Sequence, residues 1–254
     1  MFMNKAYILI ILLFMPFLTA MPVSPSTSLI VNPSHDSAYI QDLIDNVVED
    51  GGTIYFEPGT YYVNLGIGIV DPVNRSFALV GAGEGATILY SNLPNEIITD
   101  IGNGVHVTTI KGFTMMNEHG AIFTNGTSTV ITNCTFIGIG SSPGSAICNA
   151  GTSSPIITDC MFINNSNYNG GAICNGGSSP IITNCVFYGN TGYSGGAIYN
   201  ELASPVITNC TFTGNSAQTG SAIFNDVNSN SQVTNCILWN DIGTEIYNNA
   251  GSST

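Results

Sequence analysis

The sequence predicts an all-β fold, a right-handed single-stranded parallel β-helix whose coils are about 25 residues long. Three motifs recur in phase, once in every coil. The first, Asn/Asp-Cys-x-Phe/Leu, has its cysteines at Cys134, Cys160, Cys185, Cys210 and Cys236. The second, Gly/Ser-Ala-Ile-x-Asn, ends at Asn149, Asn175, Asn200 and Asn225. The third places Pro155, Pro180 and Pro205 before Ile/Val-Ile-Thr.

Each repeat contains three short β-rich runs separated by Gly, Ser, Asn and Pro, which leaves no room for a helix. A unit this small cannot bury its own apolar face, so we expect successive units to stack. Each strand then pairs in parallel with its counterpart in the next coil, about 4.8 Å away. Equivalent residues therefore form columns along the solenoid.

The columns predict which side chains of the first motif point inward and which lie at a bend. We expect the phenylalanines to point inward and stack, and the Asn or Asp before each cysteine to form a ladder at a left-handed bend. The asparagines that end the second motif are predicted to form another structural ladder. The inward stack consists of Phe136, Phe162, Phe187 and Phe212, and the bend ladder of Asn133, Asp159, Asn184, Asn209 and Asn235.

The chain divides into an export signal, a linker and one domain. Residues 1–21 are predicted to be a signal peptide because Lys5 precedes a short apolar run and Ala20 ends it. The alternative is an uncleaved anchor or a membrane helix. Residues 22–35 are predicted to be a linker and 36–254 the β-helix domain, with a capping helix at 36–50, irregular first coils at 52–116 and regular repeats at 117–250.

The capping helix is predicted from its N-cap and its apolar spacing. Asp36 is the expected N-cap, and Ile40, Leu43, Ile44 and Val47 recur at helical spacing before Gly51-Gly52. This helix is expected to cover the first coil. The C-terminal segment resembles a coil in progress, so we expect its edge to pack on further coils of a longer protein, on another subunit or under the short polar tail.

The composition excludes several classes of partner. Only 7% of residues are charged, and the net charge is −13 with three Lys and Arg residues. Nucleic acids and anionic lipids both require a basic surface, so we expect neither as a partner, and no membrane contact beyond the signal segment. We predict no cofactor and no metal site from the cysteines and histidines, because no Cys-x-x-Cys occurs and His35, His106 and His119 lie outside the cysteine repeats.

Two stretches resemble known β-helix families. Gly-Gly-Ala-Ile-x-Asn followed by Ser-Ser-Pro-Ile-Ile-Thr-Asn-Cys-x-Phe is similar to the polymorphic outer-membrane-protein-type repeats of prokaryotic surface proteins. Gly-Gly-Thr-Ile-Tyr-Phe-x-Pro-Gly-Thr-Tyr and the following Val-Gly-Ala-Gly resemble the first coils of the pectate-lyase-like superfamily. The resemblance implies the fold, a prokaryotic secreted or cell-surface location, and, for the second family, lyases and hydrolases of acidic polysaccharides.

The lyases implied by this resemblance use a basic side chain beside bound calcium. No Lys or Arg follows Lys111, and Arg75 lies in an irregular segment, so we predict no catalytic residues. Glu201 and Asp226 occupy equivalent positions of neighbouring repeats and are either a Ca²⁺ or glycosidase carboxylate pair or two solvated turn acids. Tyr168 and Tyr193, also at equivalent positions, either stack on a sugar or stack on each other.

Two questions about columns stay open in the sequence. The cysteines either form inter-coil disulfides or remain small buried thiols, and for Cys148 and Cys174 the two alternatives are evenly balanced. The column Phe123, Cys148, Cys174, Tyr199 and Phe224 points outward, as an apolar stripe for a partner, if the neighbouring isoleucines point inward. With the reverse parity it is core.

We therefore expect an extracellular or cell-surface scaffold or adhesion module without catalytic activity. The alternative is a carbohydrate-binding or polysaccharide-degrading β-helix. The predicted partner is accordingly an extracellular glycan or a surface protein. A groove that contains both the acidic pair and the tyrosine pair favours the carbohydrate function.

Overall fold

The computed structural model describes residues 27–63, 67–70, 75–91, 96–102, 106–117, 119–140, 145–239 and 241–254. The predicted signal peptide at 1–21 lies outside the described residues. Within these ranges no helix has the length and apolar character needed to cross a membrane.

The strands are short and regularly spaced along the chain. The first coils contain β1 (Ser28–Val31), β2 (Thr53–Phe56), β3 (Gly59–Tyr62), β4 (Ile67–Val70), β5 (Phe77–Val80), β6 (Thr87–Ser91), β7 (Ile98–Ile101), β8 (Thr108–Lys111) and β9 (Thr114–Asn117). The next contain β10 (Ile122–Asn125), β11 (Val130–Thr132), β12 (Thr135–Ile137), β13 (Ile147–Ala150), β14 (Ile156–Thr158), β15 (Met161–Ile163), β16 (Ser166–Asn169), β17 (Ile173–Gly176) and β18 (Ile181–Thr183). The last contain β19 (Val186–Tyr188), β20 (Thr191–Ser194), β21 (Ile198–Glu201), β22 (Val206–Thr208), β23 (Thr211–Thr213), β24 (Ile223–Asn225), β25 (Gln232–Thr234), β26 (Ile237–Trp239) and β27 (Ile246–Asn248).

Three long parallel sheets run the length of the solenoid. The first sheet has the order β1-β2-β5-β8-β11-β14-β18-β22-β25, the second β3-β6-β9-β12-β15-β19-β23-β26, and the third β4-β7-β10-β13-β17-β21-β24-β27. From β2 onward each coil places one strand in each of the three sheets, and equivalent repeat positions are register partners, as with Ile157 and Ile182. The predicted parallel β-helix is therefore confirmed. A fourth, two-stranded sheet pairs β16 with β20.

The N-terminal cap is a short helix that continues as a π-helical turn. Helix α1 spans Ser37–Asp42, and the Asp36 carboxylate accepts the predicted N-cap hydrogen bond from the Tyr39 N–H. A π-helical turn follows over Leu43–Val47, with the Val48 N–H donating to the Leu43 carbonyl. The π turn adds one residue to the turn. Ile40, Leu43 and Ile44 are buried as predicted, but Val48 takes the place of Val47, which is exposed.

The segment predicted as a linker contains a strand. Strand β1 falls within residues 22–35 and pairs in parallel with β2, which makes it the first strand of the first sheet. Its sequence, Ser-Leu-Ile-Val, is rich in β-branched residues, and Val31 is fully buried. The Pro- and Ser-rich surroundings concealed this short run. The domain therefore begins before the predicted boundary at residue 36.

The core confirms the predicted inward stack of phenylalanines. Phe136, Phe162, Phe187 and Phe212 are fully buried, and successive rings stack 4.9, 4.8 and 4.6 Å apart. The asparagines and Asp159 before the repeat cysteines have φ between 51° and 57°, as expected for the left-handed bend. Next to them, the thiols of Cys134, Cys160, Cys185 and Cys210 are buried and donate to backbone carbonyls.

The predicted asparagine ladder lies inside the third sheet. The side-chain amides of Asn149, Asn175 and Asn200 each donate to the amide oxygen of the next coil's asparagine, at 2.9, 2.8 and 2.8 Å, and Asn225 passes the chain on to Asn248 at 2.7 Å. Asn149, Asn175, Asn200 and Asn225 are fully buried. We call this row the inner Asn ladder. It satisfies a row of polar groups that burial would otherwise make costly.

A second buried ladder went unpredicted. The amide oxygens of Asn190 and Asn215 accept from the backbone N–H and the side chain of the asparagine one coil earlier, beginning at Asn165. Asp241 ends the row by accepting two hydrogen bonds from Asn215. The signal was present in the sequence, because Asn165, Asn190 and Asn215 also recur with the period of the repeat.

Candidate ligand groove on the third sheet

The open question about the outward column is settled by the isoleucines beside it. Ile147, Ile173, Ile198 and Ile223 are fully buried in the core, so the residues that follow them point outward. Register pairing lines up this column through consecutive coils as Phe123, Cys148, Cys174, Tyr199, Phe224 and Tyr247. The exposed apolar stripe expected for this parity does not form at Tyr199 and Phe224, which are only 6% and 7% exposed.

A groove opens where this column carries small side chains. Tyr199 and Phe224 stack at 5.5 Å and fill the outer face of their coils, whereas the two preceding coils carry Cys148 and Cys174. The resulting cavity of about 500 Å³ has Phe123 and the two cysteines on its floor. We call it the Tyr168 groove, and its lining is Glu96, Gly120, Ile122, Phe123, Ser145, Cys148, Asn167, Tyr168, Asn169 and Cys174.

One side of the groove is a wall formed by β16 and β20. Tyr168 and Tyr193 project from this wall with their rings parallel and 4.7 Å apart, and they are 59% and 48% exposed. The two tyrosines therefore stack on each other, and Tyr168 also lines the groove. A Gly-Gly turn joins the wall to the third sheet. A Cβ on Gly170 would lie 2.1 Å from the Ile173 carbonyl oxygen, so only glycine fits at this close approach.

Hydrogen bonds hold the wall against the sheet. The Ser145 hydroxyl donates to the carbonyls of Asn169 and Gly170, and the Asn167 amide donates to the Ser145 hydroxyl at 2.9 Å. Glu96 and Asn169 bring a carboxylate and an amide to the same cavity. The groove thus combines an apolar floor and a ring face with a few polar groups, which is the composition typical of small-ligand sites.

The acidic pair lies at the other end of the third-sheet strands. Glu201 ends β21, and Asp226 follows β24 one coil later, so the predicted neighbouring positions are found. Neither residue lines the Tyr168 groove. The Asp226 carboxylate accepts from the Tyr199 hydroxyl at 2.7 Å, from the Asn249 amide and from the Val227 N–H. The Tyr199 hydrogen bond, above all, lowers the pKa of Asp226, so this carboxyl is unsuited to act as a general acid.

No group of three His, Cys, Asp or Glu side chains converges on a metal-sized site within the described ranges. The role of Glu201 and Asp226 in binding Ca²⁺ therefore stays a prediction.

The two basic side chains in the described part of the chain, Arg75 and Lys111, lie away from the groove. The Arg75 guanidinium donates to the carbonyls of Val48 and Ile44, which places it at the end of the N-terminal cap. Lys111 ends β8 on the first sheet, beside a separate cavity that also contains Asp159. Neither side chain lines the Tyr168 groove.

An aspartate–histidine pair is buried in the irregular coils. Asp100 belongs to the same column as the inner Asn ladder. It is the register partner of Thr124, which in turn is the register partner of Asn149 in the next coil. His106 Nε2 lies 3.0 Å from Asp100 Oδ1, both side chains are fully buried, and the Thr129 hydroxyl donates to Asp100 Oδ2. Neither residue of this pair belongs to a repeated motif, so the sequence contains no indication of the pair. Its enclosure in the core makes it a structural element and not part of the groove.

A second acidic pair lies in the last coil. Burial, together with the hydrogen bond and the negative charge of Asp241, raises the pKa of Glu245 from 4.5 to about 7. Between pH 4.5 and about pH 7, Glu245 therefore keeps its proton in the folded chain but has lost it in the unfolded chain.

We predict that raising the pH from 5 to 8 lowers the melting temperature through Glu245. The stabilising contribution is fully present below about pH 4.5 and disappears as the pH rises through about 7. Differential scanning calorimetry of the wild type and Glu245→Gln across this range provides the check. The amide cannot ionise, so the variant's melting temperature should fall less. Parallel curves for the two proteins would contradict the prediction.

The comparisons with known proteins agree with this architecture. A family model described as "Right handed beta helix region" matches residues 95–254. None of the curated proteins matches the chain in sequence.

One similar solved structure is a mutant of the PL6 family alginate lyase AlyGC, which is 14% identical in sequence and has a TM-score of 0.52. The match covers 87% of this chain and 36% of that one. Geobacillus virus E2 ORF18 is 16% identical with a TM-score of 0.44, over 89% of this chain and 59% of that one. A mannuronic acid specific polysaccharide family 6 lyase from human gut microbiota is 11% identical with a TM-score of 0.46, over 89% and 62% of the two chains. The chain thus spans less than two thirds of the length of each of these proteins.

Proposed function

We propose, starting from the fact that the chain belongs to the right-handed β-helix family, that it is a non-catalytic adhesion module that binds a neutral glycan in the Tyr168 groove. We further propose that it acts outside a prokaryotic cell or on its surface. The observation that carries the proposal is the Tyr168 groove itself, an aromatic-walled cavity of about 500 Å³. Cavities of this size suit a ligand of one to a few sugar rings.

The Tyr168 ring supports sugar binding because of how it is fixed. Its stacking on Tyr193 and the hydrogen bonds of the wall hold the ring in place before any ligand arrives. A sugar ring offers an apolar C–H face to an aromatic ring and hydroxyl groups to its sides. Asn169 and Glu96 line the same cavity, and their amide and carboxylate groups are of the kind that bind such hydroxyls. Preorganisation of this kind reduces the entropy lost on binding.

The charge of the groove favours a neutral glycan over a uronate chain. Glu96 contributes a negative charge, and Arg75 and Lys111 are elsewhere in the molecule. A polyuronate would have to approach a chain whose net charge is −13 with no cation lining the cavity. The proposed ligand therefore differs from the mannuronic acid named for the gut lyase.

We predict that Tyr168→Ala weakens binding of a neutral glycan by about tenfold, because losing the stacking platform costs about 1.4 kcal/mol. A glycan array with and without Ca²⁺ would identify the ligand, and isothermal titration calorimetry would measure the loss. Tyr188→Ala is the matched control, since Tyr188 is 52% exposed on the second sheet and does not line the groove. The control should bind as tightly as the wild type.

A second variant tests the groove by filling it. Cys174→Tyr places in this coil the residue that the next coil carries at Tyr199, so the fold should tolerate it while the cavity shrinks. Binding should be lost in this variant. Retained binding in both Cys174→Tyr and Tyr168→Ala, or equal loss in Tyr188→Ala, would overturn the assignment to this groove.

Polysaccharide cleavage is a second candidate function, favoured by the fold shared with the alginate lyase AlyGC. It requires an acid and a base at the bound chain, and Glu201 and Asp226 would have to supply them. Product analysis of any bound glycan, with wild type and with Glu201→Ala, separates the two functions. New reducing or unsaturated ends that disappear in the variant would establish cleavage.

A further inference from the structure

Two of the seven cysteines have a different environment from the rest. Cys134, Cys160, Cys185 and Cys210 are 1% exposed and belong to the inward column, which ends at the half-buried Cys236. Cys148 and Cys174 point outward from the third sheet and form part of the floor of the Tyr168 groove. A small molecule that enters the cavity therefore meets these two sulfur atoms.

The two cysteines are also direct neighbours across coils. Cys148 and Cys174 are register partners in the parallel pairing of β13 with β17. Parallel strands place such partners about 4.8 Å apart, which lies within the range of Cα separations of about 4.4–6.8 Å found in disulfides. Each thiol also lies close enough to the other to shift its pKa.

We infer that Cys148 and Cys174 form a redox-active dithiol, which closes into an inter-coil disulfide when a low-molecular-weight disulfide enters the Tyr168 groove. One cysteine sulfur attacks the small disulfide and releases its first half as a thiol. The second cysteine then attacks the mixed disulfide and releases the other half. Two electrons pass from the protein to the small disulfide, and the two cysteine protons end on the two released thiols.

The roles of the two cysteines follow from their surroundings. The hydrogen bond from Cys174 lowers the pKa of Cys148, although burial and the charge of Glu96 oppose the shift. The same hydrogen bond, together with burial, raises the pKa of Cys174. These directions favour Cys148 as the attacking thiol and Cys174 as the resolving one. This inference does not depend on glycan binding, since it requires only that a small disulfide reach the groove floor.

The experiment uses 4,4′-dithiodipyridine, an uncharged disulfide that an acidic protein does not repel. The reduced, folded chain should release two equivalents of thiopyridone and retain no adduct mass. Alkylation after denaturation should then find five free thiols in place of the seven in the sequence. Peptide mapping should locate the link between Cys148 and Cys174.

Two comparisons make the result specific. In Cys174→Ser the reaction should stop at the mixed disulfide, with one equivalent released and one adduct on Cys148. Cys160 and Cys185 are the internal control, because they also lie in neighbouring coils but are buried, and they should stay unmodified. Circular dichroism verifies that each variant is folded, and Cys148→Ala serves as a second variant that should form no link.

Three results would overturn the inference. Retention of two adducts would show that the thiols react but cannot join. A link within the inward column would show that the wrong pair is accessible. Recovery of all seven thiols from a folded sample exposed to the reagent would show that the groove floor does not react.

Discussion

Asn175→Leu is expected to lower the free energy of unfolding by about 2–6 kcal/mol, because it removes the central link of the inner Asn ladder. The Asn175 side chain is fully buried, donates to Asn200 at 2.8 Å and accepts from Asn149 at 2.9 Å. Leucine has a similar volume but can make neither bond. A donor on Asn149 and an acceptor on Asn200 then remain buried without a partner, and each costs about 1–3 kcal/mol.

Urea denaturation followed by circular dichroism measures this loss. Asn230→Leu is the matched control, since Asn230 is exposed and its side chain makes one hydrogen bond, with Ser253. The same substitution there should change stability by less than about 1 kcal/mol. Similar losses in the two variants would mean that the inner Asn ladder contributes no more than a surface asparagine.

His106→Ala is expected to destabilise the fold by about 3–5 kcal/mol, because it leaves the Asp100 carboxyl group buried without one of its two hydrogen-bonding partners. Both side chains are fully enclosed, with Nε2 and Oδ1 3.0 Å apart. The hydrogen bond from the Thr129 hydroxyl then remains, but it reaches only the other oxygen, Oδ2, of the buried carboxyl group. Thermal and urea unfolding of the variant should both shift to milder conditions.

A second substitution shows whether charge is the cause. Asp100→Asn in the His106→Ala background replaces the carboxylate by the neutral amide that the same column carries at Asn149. The double variant should regain part of the lost stability. His35→Ala, which removes a half-buried histidine stacked on Tyr39, should have a small effect. A double variant as unstable as His106→Ala would show that cavity formation, and not charge, dominates.

The regular coils could be predicted because their residues repeat. Phe187 and Asn175 each have an equivalent in the coil before and in the coil after, and stacking is the simplest way to bury such columns. The same logic explains the left-handed bends. Features outside the repeat escaped prediction for the same reason. The π turn that buries Val48, the strand β1 and the Asp100–His106 pair each occur once.

Predicting the groove would have required knowing which residues of each strand point inward and which point outward. The sequence alone left this undecided. The column containing Cys148 and Cys174 fits either face of a strand, and only the burial of the neighbouring isoleucines fixes it as outward. The wall that carries Tyr168 is a fourth strand, beyond the three predicted for each repeat. Its position over that column depends on contacts of Ser145 with Asn169 and Gly170. Periodicity carries no information about such contacts between unlike segments.

The coil spacing also bears on how a molecule of this kind changes length. The segment from each repeat cysteine to the following ladder asparagine, as from Cys160 to Asn175, has the same length in every complete coil. The return segment from asparagine to cysteine varies by a single position, so the variation is confined to the turn between the third sheet and the first. Gain or loss of a whole coil preserves every column, because each coil contacts mainly its neighbours. This architecture therefore tolerates the duplication of complete coils most readily. It tolerates a single-residue deletion inside a strand least.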